Sequence, residues 1–600
     1  MTICKNNVSK QNMNNLPKNP IHARQDMRNM ILAVILTLAI LVGWRFYMGV
    51  PQPIPVETAQ QTPIANPLEA NIGVTKPLIL RKQPISREQQ LASPARLKIS
   101  SGALHGSVDL QGLHFDDLTL AKYHETLDKN SPEITLLTPR ANNDGYFATF
   151  GWAGDGSVEL PNEQTIWQTD ATILTPNKPV TLHWQNPQNV RFEVEITLDD
   201  AYMFSIKQRV LNNSAQIVQV APYNLINRTL NIEPEKQAIQ HLGMLATHDN
   251  RLKELSYEDV REGEQKFDST MRWLGITDKY WLSAIIPDAN DLNNITGKMR
   301  YYSQEGDSRY QLELLHKPLV IAANATIETT VHFFAGAKES SLLDSYATKY
   351  DAIMFDRAVD FGVLYFLTRP LLLLLQWLYA LLGNFGLAIM AVTVILKLFM
   401  FPLANKSYSS MAQMKLLMPK MQEIRDRFPD DKLRMNKEVM ELYKREKINP
   451  ASGCLPLLIQ IPVFFALYKV LFIAIEMRHA PFYGWIKDLS VADPTNIFTA
   501  FGLLQWNAPS LLHIGVFPLL MSATMIIQQK MNPKPADPMQ AQIIGYMPYV
   551  FVFVFAGFPA GLVLYWVWSN ILSIAQQYFI SRRYVKLYDK QTGKKLPAKK

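Results

Sequence analysis

Seven runs of mostly apolar residues constrain this 600-residue chain more than any other feature. They are Met30–Met48, Phe361–Leu382, Asn384–Leu403, Leu455–Ile475, Leu512–Gln529, Ala541–Phe558 and Leu562–Ser581. A helix of roughly twenty such residues crosses a bilayer core of ~30 Å, because a helix satisfies its own backbone groups where water is absent. The chain therefore reads as a polytopic α-helical membrane protein. Residues 50–359 are polar and turn-rich, so the overall 48% apolar content averages two regimes. The two cysteines, Cys4 in a basic tail and Cys454 in an apolar run, exclude a disulfide scaffold. No Cys/His spacing suggests a zinc site, so no metal is expected.

Lysine and arginine decide which runs cross. The first run follows a 29-residue tail with five basic residues (Lys5, Lys10, Lys18, Arg24, Arg28) and one acid. No small-x-small cleavage site follows it; Trp44, Arg45, Phe46 and Tyr47 stand there instead, so 30–48 reads as an uncleaved signal anchor. Residues 404–450 hold eleven Lys/Arg, 530–540 two and 582–600 eight, whereas 476–511 has only Arg478 and Lys487. The positive-inside rule puts the basic segments, with both termini, in the cytoplasm. An even number of crossings must then separate residues 29 and 404. Phe361–Leu382 is the run set aside, since Arg369-Pro370 interrupts it; it reads as a helix in the outer interface, with Trp377 and Tyr379 at headgroup depth. Six spans result.

Residues 50–94 carry eight prolines and read as an extended tether. From 95 to 338 short alternating runs appear: Val180–Trp184, Arg191–Ile196, Phe204–Val210 and Thr326–Phe333. Period two at this spacing predicts an antiparallel sandwich on the outer side. Glu339–Arg357 then reads as a helix returning to the membrane, ahead of the interfacial helix, in a segment 339–383. Eight histidines between 105 and 332 form no HExxH or GxSxG pattern and read as solvated surface residues. No catalytic residue is expected, and the chain reads as no enzyme.

Residues 404–450 read as a helical hairpin kinked or initiated at Pro419. Met414, Leu417, Met421, Ile424 and Phe428 line one face, Phe428–Asp431 turns, and Met435, Val439 and Leu442 restart the stripe. Mutual packing explains that stripe; a methionine face open to varied partners is the functional alternative. Arg425, Arg427, Lys444 and Arg445 are its candidate basic contacts. Inside the spans, Lys397 is costly, ~2.5–3.5 kcal/mol at a bilayer centre. It either snorkels to the cytoplasmic headgroups or faces a wet cavity with Thr393 one turn deeper. Gln460 and Ser569-Asn570 either bond helices together or line the same cavity. Lys469, near the outer end of its span, reads as a snorkelling residue. No Walker motif and no chain of buried acids supplies an engine, and no cofactor is expected.

Gly453-Cys-Leu-Pro-Leu-Leu-Ile-Gln-Ile-Pro-Val-Phe-Phe-Ala-Leu-Tyr468 resembles the third-span signature of YidC-type membrane protein insertases. Asn449-Pro450, Asp537-Pro-Met-Gln540, Met547-Pro548 and Phe558–Trp566 with Ser569-Asn570 match the same family in order. The resemblance covers roughly 355–585, and the anchor plus large outer domain fit the Gram-negative form. It implies a five-helix insertase core (384–581) around a hydrophilic groove open to cytoplasm and lipid, below a periplasmic all-β supersandwich. It implies an ATP-independent insertase and chaperone of the bacterial inner membrane, working with or without the Sec translocon. Its clients are nascent integral membrane proteins. The family's groove arginine falls on Lys397, a departure that keeps the charge and loses the bidentate fork. The groove's paired aromatics match Tyr565-Trp566. The cytoplasmic basic regions offer contacts for the ribosome or for anionic lipids, and no sequence-specific nucleic-acid contact is expected. A channel or solute transporter with a cationic intramembrane site is the alternative.

Overall fold

A computed structural model describes residues 86–592 except 94, 141, 143, 231–239, 269–270, 305–306, 430, 447, 449–454, 505–508, 510–511 and 534–537. The expected cytoplasmic tail and anchor, the tether to residue 85, Asn449-Pro450, Cys454, Asp537 and the chain end from 593 lie outside the described residues. The last stretch of the expected tether is folded. Helix α1 (Arg87–Leu91) carries a capping box between Ser86 and Gln89, and Arg87 pairs with Asp117 of the β domain.

Two sheets make the outer domain, one of eleven strands and one of eight. The alternating runs form β7 (Val180–Gln185), β8 (Val190–Leu198), β9 (Met203–Asn212) and β19 (Thr326–Ala337), which are neighbours in the eight-stranded sheet. In β8 alternate residues from Val190 to Leu198 are buried, because one face meets the core and the other does not. The eleven-stranded sheet behaves differently: β3 (His114–His124) and β5 (Tyr146–Gly154) are buried over most of their length. Phe115 and Phe150 from that sheet meet Phe204 and Phe333 from the other, with ring centroids 5.3 to 6.0 Å apart. Ladders are antiparallel, apart from a two-residue parallel pairing of β1 (Arg96–Ser100) with β6 (Ile173–Leu174).

The histidine expectation needs correction. His114 and His316 are buried, and burial holds their imidazoles far below the usual range, to about 3 and about 4. His332, bonded to Ser205 at 3.0 Å, is lowered to about 4 for the same reason.

The segment expected as one helix over 339–357 is broken. Helix α3 (Ser340–Lys349) ends where Asp351 and Met354 adopt positive φ, and a 3₁₀ turn follows at Phe355–Ala358. Helix α4 (Tyr365–Leu382) runs unbroken through Pro370. It buries Thr368, Leu371, Leu372, Leu375 and Leu378 and exposes Phe366, Leu373, Trp377 and Leu381. Arg369 bonds Asp344 (2.7 Å) and also Asp356, while Gln376 donates to Glu476 at 2.8 Å.

Helix α5 (Phe385–Phe399) is capped by Asn384, which accepts from the Leu387 amide at 3.1 Å. It stops four residues before the expected end at Leu403. Pro402, favoured in a first helical turn, starts α6 (Phe401–Arg427) at an angle of 69° to it. The hairpin thus begins at Phe401 and crosses Pro419 without a new start. Helix α7 (Lys432–Arg445) is capped by Asp431, and α8 (Leu455–Ile473), α9 (Val516–Met531), α10 (Pro538–Phe555) and α11 (Ala560–Thr592) complete the bundle. By length and composition, α4 among the described helices is long and apolar enough for a single crossing. The bent pair α5–α6 passes the same test jointly.

The outer domain is tied to the bundle. Lys469 does not snorkel: its ammonium lies 2.9 Å from Asp360, whose carboxylate also accepts from the His241 amide at 2.8 Å. Arg478 donates to the carbonyl of His124 at 2.6 Å. The start of α11 is held by the segment between α8 and α9, where the Ala560 and Gly561 amides donate to the Val491 and Leu489 carbonyls at 2.7 and 2.9 Å. A Cβ on Gly561 would lie 3.2 Å from that Leu489 oxygen, so the close approach favours glycine.

Candidate functional site

Apolar side chains make α5, α8 and α11 pack, and that packing gathers the few polar ones. Lys397 on α5 donates to the Ser573 hydroxyl of α11 at 2.8 Å and to the Gln460 carbonyl oxygen of α8 at 3.5 Å. The Gln460 amide then donates to the Tyr565 hydroxyl of α11. Three helices thus share one polar chain. Among the described residues Lys397 has no acidic partner within ion-pair distance, so its charge is solvated by neutral oxygens alone.

Lys397 and Gln576 stand between two spaces. A small inner one is also lined by Met400, Leu403, Ala404, Tyr408 and Gln460. A larger cleft of about 330 Å³ lies along the α5–α11 seam. Beside these two spaces the cation is held in place by neutral oxygens from two other helices.

Comparison with known proteins matches residues 377–587 to the family described as 60Kd inner membrane protein, and residues 96–374 to the YidC periplasmic domain. A membrane protein insertase YidC of Rickettsia bellii (strain OSU 85-389) is 47% identical over 557 residues, 92% of this chain and 98% of that protein. One from Rickettsia conorii (strain ATCC VR-613 / Malish 7) is 47% identical over 566 residues, 92% of this chain and 99% of its own. The chain belongs to the YidC family. A crystal structure of an active YidC insertase with its first transmembrane domain resolved is similar over 81% of this chain and 93% of its own, at 18% identity and a TM-score of 0.34. As in the YidC family at large, this is an inner-membrane protein whose β-sandwich is a periplasmic domain beside a helical core.

The remaining candidates take other places. Thr393 is buried and donates to the Ile389 carbonyl of its own helix at 2.7 Å. Asn570 donates to Thr524 at 3.1 Å, bonding α11 to α9. Tyr565 and Trp566 part company, since neighbours on a helix point about 100° apart. Tyr565 joins the polar chain, while Trp566 packs on Phe464 and Phe555 at 4.7 and 5.0 Å.

In the hairpin, Met414 and Met421 are buried, Met421 in a cluster with Val439 and Leu442 and 3.4 Å from the Tyr443 hydroxyl. These two methionines are engaged in packing. Arg425 is half-buried, and Arg427, Lys444 and Arg445 are exposed. Lys420 bridges the two hairpin helices to Glu446 at 2.9 Å. No group of three or more metal-ligating side chains occurs among the described residues.

Ser573, Gln576 and Gln577 were missed from the sequence. The signal was there: Asn570, Ser573 and Gln577 recur at steps of three and four and form one polar stripe along α11. Gln577 is buried and donates to Asn532 at 2.9 Å.

Proposed function

We propose that this chain inserts and helps fold integral proteins of the inner membrane, alone or together with the Sec translocon, by receiving the polar end of a client in the space beside Lys397. The polar chain Lys397–Gln460–Tyr565 with Ser573, joining three helices of the bundle, carries this reading. A hydrophilic recess part-way through the bilayer shortens the stretch that a polar segment must cross unsolvated. The client's apolar segment then partitions into lipid by hydrophobic transfer. The uncompensated cation attracts acidic residues in the translocated tail. No ATP, metal or cofactor enters these steps.

The topology we infer has six spans, with the anchor and five core helices crossing, α4 lying in the outer interface, and both termini and the hairpin in the cytoplasm. The one-sided burial of α4 and the tether of Arg369 to Asp344 support the interfacial placement. In the same reading, 95–338 is the periplasmic sandwich and 582–600 the basic tail. The exposed cations Arg427, Lys444 and Arg445 support ribosome or anionic-lipid contacts.

Depletion in the native cell, with reconstitution into liposomes, tests this. The expected outcome is loss of inner-membrane proteins in the cell and client insertion by purified protein without solute flux. Solute flux without client insertion would support a channel instead. Deleting residues 60–330 should leave insertion largely intact; loss of all activity would move the function to the periplasmic domain.

A further inference from the structure

The cleft of about 330 Å³ along the α5–α11 seam is not filled by the Lys397 network. Its walls are apolar, with Leu398 and Phe401 on one side and Leu572 and Phe579 on the other. Leu398 and Phe579 are 65% and 70% exposed, so the cleft opens outward from the bundle rather than into it. Lys397 and Gln576 close it on the inner side, and Arg583 stands at its end.

Length decides what fits. Leu572 and Arg583 are eleven residues apart on α11, a rise of about 16 Å. One leaflet of a ~30 Å hydrocarbon core is about 15 Å deep.

Charge decides the headgroup. Arg583 is exposed and, among the described residues, makes no ion pair, whereas its neighbour Arg582 stacks over the Tyr578 ring at 4.3 Å. An apolar wall gains little over bulk lipid, because both surroundings are hydrocarbon, so the cation sets the preference. We propose that this seam is a binding site for one anionic phospholipid of the leaflet on the Arg583 side, with its phosphate on Arg583 and one acyl chain along Leu398, Phe401 and Phe579.

Native mass spectrometry of the full-length protein in mild detergent tests this with phosphatidylglycerol and phosphatidylcholine of identical chains. One retained phosphatidylglycerol per chain is expected, preferred about five-fold over phosphatidylcholine and not displaced by inorganic phosphate. Arg583→Gln should abolish the preference and Arg582→Gln keep it. Ala575→Phe, which fills the cleft, should lower the occupancy of both lipids. Circular dichroism and a monodisperse elution profile separate these effects from misfolding. Equal preference in the wild type, equal loss in the two arginine variants, or displacement by phosphate would overturn the site. So would a photo-crosslinker at Phe579 that captures a client in proteoliposomes in place of the lipid.

Discussion

The Lys397 ammonium donates to the Ser573 hydroxyl across 2.8 Å, so the charge buried between α5 and α11 is held by a neutral oxygen and not by an acid. Held this way, it has no acid among the described residues to compete with an incoming carboxylate. Acidic client segments should therefore feel the sign of residue 397 more than its shape. Lys397→Arg should insert clients nearly as well as the wild type. Lys397→Glu should slow clients with acidic translocated tails at least about tenfold through direct repulsion. Lys397→Ala should fall between and hurt Sec-independent clients most. Insertion assays across several clients check the order, and equal rates for the Glu and Lys forms would reduce Lys397 to a tolerated charge.

The hairpin closes on itself. Met421, Val439 and Leu442 form its own small core, while Ala404, Tyr408 and Ile580 form a separate contact of the first part of α6 with α11. Deleting 415–445 removes the first cluster and spares the second. The product should remain a stable membrane protein by thermal melting and fail in insertion. Normal insertion would make the hairpin a connector only.

Lys469 and Asp360 form an ion pair whose side chains are only 14% and 15% exposed. Removing one partner leaves the other charge with little water, at a cost of about 3 kcal/mol. Lys469→Met and Asp360→Leu should each lower the melting temperature of the full-length protein, and the double variant should be more stable than either single one.

His114, His316 and His332 are all held below the ordinary value of 6.5 by burial, to about 3, 4 and 4. Their neutral forms belong to the folded state. The unfolded chain takes up protons that the folded one does not, so their contribution is complete above about pH 6.5 and is lost as pH falls toward 4. Melting followed between pH 7 and 4.5 should show a steep loss, and His114→Gln should flatten it. An unchanged slope in that variant would place the acid sensitivity elsewhere.

The inferred topology is checked by labelling. In a chain freed of its own cysteines, Asn250→Cys should react with an impermeant reagent in intact cells and Asp431→Cys should not. Reaction at 431 from outside would overturn the six-span arrangement.

Some of this was decided by sequence alone, because it depends on short-range patterns. Apolar runs announced the core helices. Lysine and arginine counts divided the loops into two classes. Period two in β7, β8, β9 and β19 announced a sandwich, since β8, most of β9 and the first part of β19 meet the core on one face only. Strands β3 and β5 carry no such alternation because both their faces are covered, and nothing local records what covers the second one. The same limit governs the site. Lys397 stood out on its own because a charge in an apolar run is costly wherever it points. Whether Thr393, Gln460, Asn570 and Trp566 shared its space depended on the rotation of three helices about their axes, which is fixed only when they pack. Packing joined Gln460 and Tyr565 to Lys397, turned Trp566 into an aromatic cluster and gave Asn570 to Thr524. It also paired Lys469 with Asp360, more than a hundred residues away, where proximity in space and not along the chain sets the partner of a charge.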